Sequence, residues 1–543
     1  MNVNNLRSDA EEHLKLAQGT ADVSDQDENW NEALITTPLF TLVASESLAA
    51  NHENGDADKD KRAKKESSIQ YGLLGMRIQG PGDTSEPNNL VYTNVSAPWS
   101  AFICGSQGSG KSHTFSCLLE NMLMSPSPVG KLNSPLTGLA MHYDKFTTFS
   151  STQLSEAAYL FTAGIPVRVL VSPTNYSTMK AAYEGISKGN RLFVVEPLYL
   201  PQRYLNTSMM KTLMGINNKA GQPLYMEVVL KILRQMAVMN QGQAGFNYAE
   251  FKRRLACEEF IRGQLGPLHM RLEVLESFFE PGSVPNVKPN GPRVATRSTW
   301  SFPPGSLTII DLSCPFVDPE DACVLFNISA SLFLKDRRET GRVIAMDEAH
   351  KFLNSTAPEA LELTETLLSI IRQQRHLATR VLIATQEPTL APALLELCNM
   401  TIIHRFSSPA WYRAIKAHIA GADNNNNQDV QSGKIFDKIV RLATGEGLLF
   451  CPTALLDVGR MAESEIGGRY SNELFEAFST SEYGTTSRKG GYFNAETANS
   501  SWGRAGNVNQ PVRGLPYPLG SGHALIRVRQ RITADGGRSM LEL

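Results

Sequence analysis

Two short stretches of this sequence carry residue types that do chemistry together. The first is Gly105-Ser106-Gln107-Gly108-Ser109-Gly110-Lys111-Ser112, which fits the pattern G-x-x-x-x-G-K-[ST]. Its glycines let backbone N–H groups turn inward around phosphate oxygens. Lys111 is placed to reach β- and γ-phosphates, and the Ser112 hydroxyl to ligate Mg²⁺. SAFIC before the loop reads as an apolar strand, and HTFSCLLENMLM after it as a helix. The positive end of that helix faces the anion, with His113 in its first turn. The second stretch, Gly341–His350, reads GRVIAMDEAH, a strand ending in two acids. Sheets of the α/β class hold ligands at the carboxyl ends of their strands. Asp347 would hold Mg²⁺ through water beside Ser112, and Glu348 would polarise an attacking water. The bland reading of the two acids is a helix cap followed by a first-turn acid. The expected cofactors are ATP and Mg²⁺.

The letters DEAH also mark a large helicase family, but two features oppose that reading. Lys111 and Asp347 stand 236 positions apart, far more than in DEAH-box helicases. The remaining chain holds no Arg-rich Q-x-x-G-R-x-G-R motif and no second domain of the same kind. DEAH is therefore read as a Walker B Asp-Glu pair followed by two helix residues.

These residues need a sheet to position them. Short apolar runs bounded by turn residues recur along the chain: QYGLLGMRIQG, SAFICG, GLAMHYD, PVRVLVSP, RLFVVEP, SLTIIDLS, RVIAMDE, RVLIATQ, MTIIHRF and GLLFCP. Helical patterns separate several of them, which predicts an α/β fold with a mostly parallel central sheet. From about residue 207 the alternation stops. MEVVLKILRQMAVM, NYAEFKRRLACEEFIRG and MRLEVLESFFE carry apolar residues at three-to-four spacing, predicting an all-helical insertion between Walker A and Walker B. The expected organisation is a disordered polar tail over 1–66 and a first ATPase part over 67–206. The insertion follows over 207–285, a second ATPase part over 286–460, and an extended tail with a terminal strand over 461–543.

Composition bounds the partners. The net charge of −2 excludes a surface that is basic throughout, so any nucleic-acid contact must be local. Seven cysteines are scattered without a C-x-x-C pair, which fits a reduced compartment. No signal pattern and no apolar run of membrane-spanning length is present, so a soluble intracellular protein is expected, cytoplasmic or nuclear. The run KRAKK (Lys61–Lys65) has the composition of a nuclear import signal and equally of a solvated tail.

Motif order now adds to the residue-level reading. GSQGSGKS is followed by TIIDLS (Thr308–Ser313), DEAHKFL, ATQEP with Gln386 at the strand end, IIHRF with Arg405, and GEGLLFCP. Over roughly residues 85–460 this resembles the HerA/FtsK superfamily of ring ATPases, most closely the HerA branch and the conjugation (type IV secretion) ATPases. The resemblance implies a RecA-like P-loop NTPase fold and a hexameric ring that moves double-stranded DNA by ATP hydrolysis. It also implies that Gln386 senses the γ-phosphate, a task suited to an amide that both donates and accepts. Arg405 either reaches the nucleotide region or pairs with a surface acid. The first 70 residues cannot build the HerA β-barrel, so the nuclease partner that barrel supports is not expected. Nor are FtsK-type membrane segments or the DNA-reading winged helix present. The alternatives that remain are a nucleotide-dependent switch or scaffold, and a motor acting on protein cargo.

Two further stretches carry arginines. PEALELTETLLSIIRQQRHL reads as one helix opened by Pro358, with Ala360, Leu363, Leu367, Ile370 and Ile371 toward the sheet. In the resembled ring ATPases an Arg just before the next strand enters the neighbouring subunit's site. Arg375, and less so Arg372, stand there; the alternative is a complement to the helix C-terminal dipole. In the terminal HALIRVRQRIT, Arg527, Arg529 and Arg531 share one face of a strand. That strand would either dock on a neighbour or a phosphate backbone, or be an edge strand kept soluble by charge.

Overall fold

The computed structural model describes residues 34–52, 69–78, 87–145, 153–202, 205, 207–214, 224–239, 246–260, 262–279, 300–335, 340–353, 357–388, 390, 392–417, 428–458 and 516–534. In chain order the strands are β1 (Leu39–Thr41), β2 (Tyr71–Arg77), β3 (Leu90–Asn94), β4 (Ser100–Cys104), β5 (Gly130–Lys131), β6 (Thr137–His142), β7 (Val167–Val171) and β8 (Phe193–Pro197). Then come β9 (Leu307–Asp311), β10 (Arg342–Met346), β11 (Thr379–Thr385), β12 (Met400–Ile403), β13 (Glu446–Phe450), β14 (Leu455–Val458), β15 (Pro516–Pro518) and β16 (Ala524–Val528). They form one sheet in the order β15-β14-β1-β3-β2-β16-β13-β12-β4-β11-β10-β6-β9-β7-β8, with β5 against β2.

From β12 to β8 every pairing is parallel. Strands β4, β6, β9, β10, β11 and β12 are buried along their whole length, which is why they read as mainly apolar runs without a polar face. Within this parallel half, β8 at the edge alternates buried positions with exposed or partly exposed ones. Successive residues feed opposite cores. Ala101 and Ile103 pack with Phe115 and Leu118 of the helix Lys111–Leu123. Phe102 and Cys104 face the other way, toward Met226, Val229, Phe251 and Leu272. Those four belong to the helices Leu224–Met239, Tyr248–Ala256 and Arg262–Ser277, which follow Thr207–Leu213 between β8 and β9. The α/β fold, the mostly parallel sheet and the helices between the two motifs are thus as the sequence predicts.

Three expectations need correction. Residues 34–52 are not tail: β1 pairs with β3 and β14, and Leu34, Phe40 and Ala44 share a core with Leu455. Ten of its nineteen residues are apolar, and the polar, charged residues on either side mask that run in the average over 1–66. The terminal strand β16 is not an edge strand. It lies between β13 and β2, and Ile526 is fully buried. The helix opened by Pro358 ends at Arg372; Gln373 leaves helical geometry and a separate turn covers Gln374–Leu377. All five residues expected to face the sheet are buried. The stretch 461–515 and the KRAKK run lie outside the described residues.

Candidate functional site

Sheet order brings the two chemical stretches together. β11 lies between β4 and β10, with Thr385 beside Cys104 and Ile383 beside Met346. The residues that follow, namely Gly105 onward, Gln386, and Asp347 with Glu348, therefore emerge at one edge of the sheet. This is the carboxyl edge where α/β proteins hold ligands.

The loop after β4 is shaped as a phosphate cradle. Gly110 adopts φ +111°, and a Cβ there would stand 2.9 Å from the Gly445 nitrogen, so only glycine fits. Ser109 Oγ donates to the Ser106 carbonyl at 2.7 Å, drawing the loop into a tight turn. Gln107 and Gly108 at its tip are exposed. The first helical bond runs from Thr114 N to Gly110 O, leaving the amides of Lys111, Ser112 and His113 without intrahelical acceptors. Lys111 Nζ donates to the Ser106 carbonyl at 3.0 Å and is buried. Desolvation lowers its pKa, while Glu348 and Asp347 pull it back up.

The acids complete the site. The Glu348 amide donates to Asp347 Oδ1 at 2.9 Å. Burial, followed by the charge of Glu348, pushes the Asp347 carboxyl up to about 7. Glu348 itself sits at φ +49°, a left-handed conformation that costs a non-glycine residue roughly 1–3 kcal/mol. From there its carboxylate accepts from Gln386 Nε2 at 3.0 and 3.1 Å, and His350 Nδ1 lies 3.3 Å away. Two adjacent buried carboxylates carry more negative charge than their surroundings offset, which suits a divalent cation. No group of three or more His, Cys, Asp or Glu side chains is gathered for a metal among the described residues.

Two sequence-selected residues make contacts other than those expected. The Arg405 carbonyl accepts from Ser106 N at 2.9 Å and from Ser106 Oγ at 2.8 Å, while the residue is exposed. The His113 ring donates from Nε2 to the Arg529 carbonyl at 2.7 Å, so its side chain faces the C-terminal segment. Arg375 is exposed and precedes β11, at the end of the strand opposite Gln386. The six steps from Thr379 to Thr385 at ~3.3 Å each separate the two ends of the strand by about 20 Å. Arg375 is not part of the site on its own chain.

The sequence reading missed His404, which is fully buried behind the loop. Its Nδ1 donates to the Glu446 carbonyl at 2.7 Å, which leaves Nε2 to accept from the Thr114 hydroxyl at 2.9 Å. Burial holds its pKa down at about 4, so the ring is neutral and one tautomer is fixed. The only sequence signal was its place in IIHRF, immediately before Arg405.

Fold and site together define an α/β chain with a P-loop on a RecA-like sheet. No protein-family profile and no curated protein sequence matches it. Among solved structures it is similar to VirB4 of Thermoanaerobacter pseudethanolicus at 12% identity and TM-score 0.46, covering 70% of this chain and 93% of that one. It is also similar to B204, the DNA-packaging ATPase from Sulfolobus Turreted Icosahedral Virus, at 11% identity and TM-score 0.25, covering 65% and 92%. At these scores the overlaps are partial, and the fold assignment rests on this chain's own strand order and loop geometry. Among the described residues no helix is long and apolar enough to cross a membrane.

Proposed function

We propose that this chain is an ATP-hydrolysing motor of the HerA/FtsK kind, working as a hexameric ring on double-stranded DNA. One observation carries the reading. The strand between the P-loop strand and the Walker B strand is followed directly by Gln386, and that amide holds the carboxylate of Glu348. This arrangement places a phosphate cradle, a pair of acids and a polar amide at one edge of the sheet, the set that phosphoryl transfer to water requires.

In this reading the first-turn amides and Lys111 bind the β- and γ-phosphates. Ser112 and Asp347 hold Mg²⁺, which neutralises phosphate charge when bound. Glu348 orients and deprotonates the attacking water, and Gln386 keeps the Glu348 carboxylate aimed. The exposed Arg405 side chain stands beside the loop, where it can meet the nucleotide. Arg375 would serve the site of the next subunit, since it lies too far from its own.

The test is the ATPase rate with and without duplex DNA, measured over a salt series alongside particle mass with nucleotide. A motor on DNA is stimulated by duplex, and the stimulation falls steeply with salt because counterions are released on phosphate contact. A DNA-indifferent rate would redirect the reading toward protein cargo, and absence of any turnover would leave a nucleotide switch.

A further inference from the structure

The helix that follows the P-loop is buried, yet one of its faces is polar. His113, Ser116, Cys117, Glu120 and Asn121 fall at helical i, i+3, i+4, i+7 and i+8 spacing and so form one stripe. A polar stripe on a buried helix must be matched by partners. Here the partners come from the last described residues of the chain, some 400 positions away.

The Arg529 guanidinium spans the stripe. Its Nη1 donates to Glu120 Oε2 at 2.8 Å, and its Nη2 to Asn121 Oδ1 at 2.9 Å and to the Cys117 carbonyl at 3.2 Å. Its Nε donates to the Leu73 carbonyl at 2.7 Å. The Glu120 side chain is 0% exposed. It also accepts from the Ile532 amide at 3.1 Å and the Thr533 amide at 3.2 Å. Arg531 Nη1 donates to Ser116 Oγ at 3.0 Å and pairs with Glu156 at 3.3 Å. At the head of the helix, the His113 ring donates to the Arg529 carbonyl. The loop is reached from its other side as well: Val528 N donates to Gly445 O, and Gly445 N donates to Ser109 O.

We infer that Arg529–Thr533 is a positioning element of the nucleotide site, holding the P-loop helix at the placement phosphate binding requires. Residues of the C-terminal segment touch the helix along its full polar stripe and reach the loop through Gly445. Displacing that segment would leave Glu120 buried without its cation and free the helix to shift beneath the phosphates. The expected signature is loss of nucleotide affinity rather than loss of the chemical step, because none of these groups touches the reacting atoms. The inference rests on the site binding nucleotide, as proposed above.

Arg529→Met tests it, with Arg527→Ala as the control; Arg527 pairs with Glu446 and is more than half exposed. The full-length variant should show a KM for ATP raised about tenfold or more and a matching rise in the Kd of a fluorescent ATP analogue, with kcat changed less than about threefold. Arg527→Ala should leave all three in place. A folded Arg529→Met protein with the unmodified KM and Kd would overturn the inference, since a merely structural role lowers the melting temperature without moving affinity. A second measurement needs no variant. By reciprocity, a bound non-hydrolysable ATP analogue should slow hydrogen exchange at the Ile532 and Thr533 amides. Unchanged exchange there would overturn the inference even if Arg529→Met failed to fold. If the unmodified chain bound no nucleotide, both this inference and the functional proposal would fall. If it bound nucleotide while the variant matched it, only this inference would.

Discussion

The amide nitrogen of Gln386 donates to both carboxylate oxygens of Glu348, at 3.0 and 3.1 Å. Gln386 follows β11 directly and Glu348 stands two residues past the neighbouring parallel strand β10, so the register of those two strands brings the segments beyond them together. The backbone at Glu348 is left-handed, at φ +49°. A general base held this way keeps its orientation without being neutralised, because an amide carries no charge. Glu348→Gln should therefore lower kcat by about 10²–10⁴-fold, the usual contribution of a positioned base, while the Kd for ATP stays within about threefold. Gln386→Ala should lower kcat by a smaller factor and leave the Kd alone. Single-turnover hydrolysis beside equilibrium binding reads both, and normal turnover by Glu348→Gln would remove it from the chemistry.

The Lys111 ammonium, at the end of the loop, rests on the Ser106 carbonyl. A bound phosphate would replace that carbonyl with a charge-assisted partner worth roughly 1.5–3 kcal/mol. Lys111→Ala should weaken ATP binding by about 10–100-fold, as read by titration with a fluorescent analogue. Unaltered affinity would place the phosphates elsewhere.

His404 predicts how stability depends on pH. Its folded pKa, about 4, lies below the ordinary histidine value of about 6.5 because burial opposes the charge. Lys111 and His113 oppose protonation further, and only the Glu446 carbonyl favours it. The unfolded chain therefore takes up the proton first as pH falls. The stability that the neutral ring contributes is complete above about pH 6.5 and is lost progressively down to about pH 4. Over the whole window the loss is about 3 kcal/mol, and about 2 kcal/mol of it has gone by pH 5. Denaturant unfolding at pH 7.5 and pH 5 should show His404→Gln losing about 2 kcal/mol less than the unmodified chain. Equal losses in the two proteins would mean the ring is protonated in the folded state.

What could be read from the sequence divides along a physical line. Strands buried on both faces carry few polar positions, most of them near the strand ends, so β4, β6, β9, β10, β11 and β12 stand out as mainly apolar runs. With them came the P-loop and the acids at the Walker B tip, whose identities are dictated by local backbone geometry and phosphate chemistry. The antiparallel half was harder. β1 and β15 have three residues each, and β3 mixes polar and apolar side chains, so pattern had too few positions to act on. The arginine pattern of the last strand suggested an exposed edge. Arg527 does lie on the surface, but Arg529 and Arg531 follow the strand and are buried against Glu120 and Ser116. Long-range pairing of that kind leaves no mark in the local sequence. His404 was hidden for the same reason, since both its partners, Thr114 and the Glu446 carbonyl, are distant in the chain.

Arg375 is the remaining residue whose role the single chain does not contain. It is exposed in the turn Gln374–Leu377, about 20 Å along β11 from Gln386. Another arginine close by, Arg380, is buried and donates to the carbonyls of Val95, Ser96, Ala97 and Ala378, so it is committed to holding the sheet. That leaves Arg375 and Arg372 as the exposed cations at this end of the helix pair. If the ring places Arg375 beside the next subunit's γ-phosphate, its guanidinium offsets charge developing there, an effect worth about 10³–10⁵ in rate. If instead it complements the helix C-terminal dipole, its removal costs at most about 1 kcal/mol of stability and leaves turnover intact. Mixing separates the two. A Lys111→Ala subunit lacks its own turnover but still presents Arg375, and an Arg375→Ala subunit still binds ATP in its own site. Each alone should be nearly inactive. Mixed rings should regain activity, because a site with intact Lys111 then sits beside a neighbour with intact Arg375. The measurement is ATPase rate against mixing ratio, with mixed assembly verified by native mass spectrometry. Activity that never exceeds the sum of the two variants in verified mixed rings would exclude the finger and leave Arg375 with the dipole role alone.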